Sequence, residues 1–69
     1  MKKTIKERFG DSIREKRQEL HLSQEKLAEH TGLHRTYISS VELGHRNISI
    51  ENIEKLAIAL NSTPSDLLK

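Results

Sequence analysis

The stretch QEKLAEHTGLHRTYISSVEL, residues 24–43, contains two short helical patterns joined at a glycine. Ser23, immediately before it, is a favourable N-cap residue, and Gly32 follows the first pattern where a left-handed C-cap is common. The second pattern repeats apolar residues three positions apart, as one face of a helix requires, and another glycine stops it. The sequence therefore predicts two helices, over residues 24–31 and 35–43.

The joint between these two helices has small and apolar residues where a tight crossing requires them. Two short helices that meet at a steep angle need a small residue where their backbones approach, a turn residue that tolerates positive φ, and apolar residues on both sides. The sequence fills these positions with Leu27, Ala28, Gly32, Leu33, Ile38 and Val41. The agreement of all these spaced positions predicts a helix-turn-helix.

An amphipathic pattern precedes this motif. Ile5, Phe9, Ile13 and Leu20 fall on one stripe of a helical wheel, while the charged residues of the segment lie on its other faces. We expect a first helix that ends near His21.

Two further N-caps follow the motif. Ser49 precedes a fourth helix, and Thr63 with Pro64 at the first helical position begins a short fifth helix. The fourth helix is marked by Ile50, Ile53, Leu56, Ala57 and Leu60, of which the last four share one arc of the wheel, and the last helix carries Leu67 and Leu68. Because the connections are short and no strand-like alternation occurs, we expect an all-α fold with residues 1–69 as a single domain.

Length and composition exclude several classes of protein. A chain of 69 residues is near the lower limit for an independent apolar core, so a second subunit is plausible on stability grounds. The chain has no Cys, which excludes disulfides and thiolate zinc sites and fits a reducing compartment. The N-terminus MKKTIKERFG lacks the apolar core of a signal peptide and no apolar stretch is long enough to span a membrane, so the expected location is the cytoplasm.

The net charge is only +2, but it is unevenly distributed. Residues 1–17 hold seven basic and three acidic residues, and 18–31 hold one and three. Residues 32–48 hold two and one, and 49–69 hold two and three. The basic surplus at the start and around the third helix is what binding to a polyanion would favour, although a solvated lysine-rich tail would explain the charge equally well.

The outward face of the third helix is small and hydrogen-bonding. A helical wheel turns Arg35, Thr36, Ser39, Ser40 and Leu43 outward. A helix of little bulk fits the DNA major groove, where an Arg at its N-terminal end can make a bidentate contact to guanine. Ser and Thr are weaker helix formers than Ala, Glu or Lys, so their use on this face favours a binding role over a merely solvated surface.

The stretches IREKRQELHLSQEKLAEHTGL, HRTYISSVELG and NIEKLAIAL resemble the Cro/repressor-like, or xenobiotic-response-element-like, helix-turn-helix regulators over essentially the whole chain. Within that superfamily, RTYIS followed by GHRNIS is most similar to the controller proteins of restriction-modification systems. The resemblance implies a lambda-repressor-like fold of five helices and a small dimeric transcriptional regulator that binds double-stranded DNA in the major groove.

The resemblance also implies roles for individual residues. Base contacts are assigned to Arg35, Thr36, Ser39 and Ser40, and phosphate contacts to Gln24, Tyr37, Arg46 and Asn47. Arg17 and Glu42 are implied to form a structural ion pair that ties the first helix to the third. A two-fold homodimer through the C-terminal part would use Pro64, Ser65 and Leu68, together with Ile58, which the helical wheel leaves exposed.

The sequence departs from the controller pattern at two positions. Leu43 stands where many controller proteins have a basic residue, so a thymine methyl is the contact open to it. His34 replaces the short polar cap that usually precedes the third helix, and it would make the affinity for DNA depend on pH.

Other functions fit the residues less well. An antitoxin that masks a toxin shares the same core, but the chain ends at Lys69 without an extension to wrap a partner, and a phage or plasmid repressor is chemically similar to a controller. The four His lack further ligands, so we expect no metal and no cofactor. No nucleophile and base can be paired, so we expect no enzyme; RNA polymerase is a further candidate partner.

Overall fold

The computed structural model describes residues 2–68, so the ends of the predicted 1–69 domain, Met1 and Lys69, lie outside the described residues. This range contains five helices and no strand, which confirms the predicted all-α fold. The helices are α1 (Ile5–Glu19), α2 (Gln24–Thr31), α3 (Arg35–Glu42), α4 (Ile50–Ala59) and α5 (Pro64–Leu67). None of the helices in residues 2–68 combines the length and the apolar character needed to cross a membrane.

Side-chain caps fix the starts of four of these helices. Ser23 accepts from the Lys26 amide, and the hydroxyls of Ser49 and Thr63 cap α4 and α5 in the same way. Thr4 and Glu7 form a reciprocal capping box at the start of α1, which satisfies two of the amides that a helix N-terminus leaves unpaired. At α3 the N-cap is His34, whose side chain makes no capping hydrogen bond.

The turn between α2 and α3 has the geometry that the sequence predicted. Gly32 adopts a left-handed conformation at φ 76°, and its amide donates to the Ala28 carbonyl at 2.9 Å. A side chain at this φ would be strained, which explains the glycine. The turn gives α3 a different direction from α2, and both helices bury apolar residues in the core.

One apolar core joins the helices. Its buried members are Phe9, Ile13, Leu27, Ala28, Ile38, Val41, Leu56, Ala57, Leu60 and Leu67, with Leu33, Tyr37 and Ile53 among the half-buried residues packed against it. Two residues of the predicted α1 stripe, Ile5 and Leu20, are instead exposed, and both lie at the ends of that helix. Ile50, the first residue of α4, is exposed as well.

At Gly10 the backbone of α1 lies close to the end of α3. A Cβ at this position would lie 2.4 Å from the Val41 carbonyl oxygen and 2.7 Å from that of Glu42, which is far inside van der Waals contact. The two backbones can therefore cross only where α1 has no side chain. This crossing sets the position of α3 relative to the rest of the domain.

Candidate nucleic-acid interface

The accessible face of α3 carries the four residues predicted to contact bases. Arg35 and Thr36 in the first turn are exposed, and Ser39 and Ser40 in the next turn are half-buried. Leu43, directly after the helix, is 60% exposed. Because the opposite face of α3 is fixed in the core, this side is presented as a rigid, shallow ridge with a cation at its N-terminal end.

Tyr37 lies at the boundary between this face and the core. Its ring is half-buried, and its hydroxyl accepts a hydrogen bond from the Asn52 side-chain amide of α4 at 3.1 Å. The Arg46 guanidinium lies over the ring, 5.2 Å from its centroid, within the range of a cation–π contact. The structure thus brings together Tyr37 and Arg46, two of the predicted phosphate contacts, and leaves the neighbouring Asn47 exposed.

A buried polar network holds the start of α2 to the end of α3. Arg17 Nε lies 2.7 Å from Glu42 Oε2 and its Nη2 lies 3.0 Å from Oε1, so the two groups pair in a bidentate fashion. A third guanidinium contact reaches the Leu22 carbonyl at 2.9 Å. The hydrogen bond to Glu42 raises the pKa of Arg17, although burial opposes the shift.

Gln24 belongs to the same network. Its side-chain amide donates to Glu42 Oε1 at 3.1 Å, which uses one of its two amide hydrogens. The second amide hydrogen and the carbonyl oxygen take no part in this bond. The Gln24 side chain can therefore bind the buried carboxylate and an external group at the same time. The predicted phosphate contact at Gln24 is therefore compatible with its internal hydrogen bond.

The residues predicted to form a dimer interface lie at the surface. Ile58 is 71% exposed and Leu68 is 38% exposed, and both Pro64 and Ser65 at the start of α5 are exposed. Leu68 also lines an apolar cavity of about 200 Å³ together with Ile5, Lys6, Phe9, Arg46, Asn47, Ile48 and Ile53. The cavity places the predicted dimer residue Leu68 close to the predicted phosphate contacts of the loop after α3.

Two residues that shape the site were not singled out from the sequence. Gly10 lies inside an otherwise strong helical pattern, where glycine is costly and indicates a close backbone approach. Asn52 is a polar residue of α4, a helix that the sequence predicts from its apolar positions alone. Its side chain pairs with Tyr37 of α3, so the contact joins two helices. The glycine could have been found from the sequence, whereas the asparagine contact depends on how α4 packs.

Residues 13–67 match the helix-turn-helix family. Control protein C.BamHI of Bacillus amyloliquefaciens is 49% identical over 69 residues, which span 99% of this chain and 85% of that protein. Control protein C.SmaI of Serratia marcescens is 48% identical over 93% of this chain and 76% of that protein. This chain belongs to the helix-turn-helix family and, within it, to the restriction-modification controller proteins.

Solved structures of controller proteins have the same fold. C.AhdI from Aeromonas hydrophila superposes with a TM-score of 0.87 at 48% identity, over 90% of this chain and 94% of that one. C.Esp1396I was solved as a tetramer in complex with its natural 35 base-pair operator. One chain of that complex superposes with a TM-score of 0.82 at 28% identity, over 99% of this chain and the whole of that one. The second of these matches spans nearly the whole chain and therefore includes all five helices.

Proposed function

We propose that this protein is a sequence-specific, dimeric DNA-binding regulator of a restriction-modification system. The observation that carries the proposal is the accessible face of α3, where Arg35, Thr36, Ser39 and Ser40 form a narrow hydrogen-bonding ridge on a rigid helix. Such a ridge enters the major groove, and its first turn reaches base edges. The operator complex of the relative C.Esp1396I supports the assignment.

Contacts divide between bases and backbone in this proposal. The residues on α3 select the sequence, while Gln24, Tyr37, Arg46 and Asn47 hold phosphates on either side of the groove. Tyr37 and Arg46 are already in contact with each other, so a single phosphate could be bound by both. Phosphate contacts set the register of the helix in the groove, which makes the base contacts selective.

The dimer follows from the same geometry. A two-fold pair formed through Ile58, Pro64, Ser65 and Leu68 would place two copies of α3 about 34 Å apart on one face of the DNA. The operator is then pseudo-palindromic. The protein acts in the cytoplasm by occupying promoter DNA, alone or with a contact to RNA polymerase, and its own concentration sets occupancy through dimerisation.

The test is a gel-shift and footprint with purified protein on the DNA immediately upstream of its own gene. Titrations are run at two salt concentrations with excess nonspecific competitor. A protected two-fold site that survives the competitor is the expected result. Binding that disappears with competitor or moderate salt would mean that only the backbone is recognised, and the proposal would fail.

A further inference from the structure

The hydroxyl of Tyr37 accepts a hydrogen bond from a residue of α4. Asn52 Nδ2 donates to the hydroxyl oxygen at 3.1 Å, and both side chains are partly buried at this contact. A tyrosine hydroxyl has one proton to donate and lone pairs that accept. Because Asn52 occupies an acceptor site, the hydroxyl proton stays free for a partner on the outer side.

The direction of this hydrogen bond decides whether the Tyr37 hydroxyl can bind a DNA phosphate. A phosphate diester carries acceptor oxygens and no proton to donate, so a hydroxyl can hold it only by donating. If a neighbour accepted the Tyr37 proton internally, the hydroxyl would offer the phosphate only lone pairs, and the contact would become repulsive. A donor to the hydroxyl oxygen instead polarises the O–H bond and strengthens the hydrogen bond that the hydroxyl donates to the phosphate.

Asn52 is well placed to keep this direction fixed. It is the third residue of α4, and its backbone amide donates to the Ser49 capping hydroxyl at 3.2 Å. Leu56 and Ala57, about one turn further along the helix, are buried and anchor α4 in the core. The Arg46 guanidinium lies over the ring, 5.2 Å from its centroid, and adds a positive charge to the surroundings of Tyr37.

We propose that Asn52 is a positioning residue that directs the Tyr37 hydroxyl proton towards an operator phosphate. The inference rests on the proposed function, since it deepens the role assigned there to Tyr37. It makes α4 a participant in DNA recognition through the Tyr37 hydroxyl.

The test reverses the hydrogen bond without changing its shape. Asn52→Asp replaces the donor by a carboxylate of the same size, which can only accept and will draw the Tyr37 proton inward. An acidic residue in the first turn of a helix is favourable, so the fold should be retained and circular dichroism should show an unchanged melting temperature or a higher one. Operator affinity is measured for Asn52→Asp, Tyr37→Phe and the double variant.

The double-mutant cycle removes the effect of the new negative charge near DNA. That charge is present in both backgrounds, whereas the reversed hydroxyl exists only when Tyr37 is present. We expect the loss of affinity caused by Asn52→Asp to be about tenfold larger with Tyr37 than in the Tyr37→Phe background. Asn52→Ala, which removes the donor without adding charge, should give a smaller difference of roughly threefold.

Fluorescence tests the direction of the bond in the free protein. Tyr37 is the only tyrosine of the chain, which has no Trp, so its emission reports this hydroxyl alone. A carboxylate that accepts the hydroxyl proton quenches tyrosine emission, so Asn52→Asp should be dimmer than both the wild type and Asn52→Ala.

The outcomes separate this inference from the proposed function. A wild-type protein without selective operator binding would overturn both. Selective wild-type binding with the same effect of Asn52→Asp in the two backgrounds would overturn the role of Asn52 alone, since the residue would then matter only for structure or charge. Undiminished emission in Asn52→Asp would overturn it as well, because the hydroxyl would not have been redirected.

Discussion

Arg35 begins α3 with an exposed guanidinium, which is the group best shaped for bidentate contact to guanine. Arg35→Ala should therefore weaken specific binding by about 1–3 kcal/mol and relax the preference at one base pair of each half-site. Arg46→Ala is the matched comparison, because it also removes one exposed guanidinium. It should weaken binding to all sequences and reduce the salt slope by about one per subunit. Equal affinity of wild type and Arg35→Ala for the operator would show that α3 does not select the sequence.

Glu42 is the residue on which three helices depend, because its carboxylate binds Arg17 of α1 and Gln24 of α2. Its side chain is only 4% exposed, so removal of the carboxylate leaves a partly buried guanidinium without its counter-ion. Glu42→Ala should cost about 3–5 kcal/mol, which is a large part of the roughly 3–10 kcal/mol expected for a domain of this size.

Chemical denaturation of Glu42→Ala measures this cost, and a surface pair supplies the control. Glu29 lies 3.7 Å from Lys26 with both side chains more than half exposed. Glu29→Ala should change the free energy of unfolding by no more than about 1 kcal/mol. Comparable losses in the two variants would mean that the buried pair has no special role in the fold.

At the scale of the helices, the contact between α1 and α3 and the helix propensity of α1 predict opposite effects of Gly10→Ala on stability. Alanine in place of Gly10 would favour the isolated α1 by about 1 kcal/mol. Its Cβ, however, would lie 2.4 Å from the Val41 carbonyl oxygen, and a backbone atom cannot move aside cheaply. Gly10→Ala should therefore lower the stability by about 1–3 kcal/mol or more and displace α3. A thermal melt with an operator titration checks this, and a more stable variant would disprove the close crossing.

The capping box of α1 should make stability depend on acidity. The Thr4 amide and hydroxyl bond Glu7 and lower the pKa of its carboxyl below the ordinary value of 4.5. Since the folded pKa lies below the unfolded one, this contribution is complete above the ordinary pKa and is lost as the pH falls through the folded value. Melting temperatures between about pH 5.5 and 2.5 should therefore fall more steeply for wild type than for Glu7→Gln, which can still accept from Thr4 but does not titrate. Parallel curves would mean that the carboxylate adds nothing beyond its hydrogen bond.

The sequence predicted the elements better than the contacts between them. Caps and glycines are local signals, so the bounds of α2 and the start of α5 were confirmed. A helical wheel gives only a direction, so it placed Ile5 on the apolar stripe of α1 although that residue is 56% exposed at the start of the helix. Pairings such as Tyr37 with Asn52 depend on the packing of two helices, which no local pattern determines.

At the scale of the whole molecule, the proposed DNA-contact surface and the predicted dimer surface lie on different helices. α3 carries the first and the ends of α4 and α5 carry the second, so the two can be altered separately. The apolar cavity is lined by both Leu68, a predicted dimer residue, and Arg46, a predicted phosphate contact. A dimer that covers Leu68 would therefore bring the partner subunit close to the predicted phosphate contacts Arg46 and Asn47.

Ile58 tests the dimer without disturbing the monomer. Because its side chain is 71% exposed, Ile58→Ser should leave the melting curve of the dilute protein nearly unchanged. It should shift the monomer–dimer equilibrium towards monomer in sedimentation experiments and weaken operator binding, since a monomer engages one half-site only. Ile50→Ser is the control, because Ile50 is an equally exposed isoleucine at the other end of the same helix. If both variants dimerise as wild type does, the subunits must meet elsewhere; if both dissociate, the interface must extend along the whole of α4.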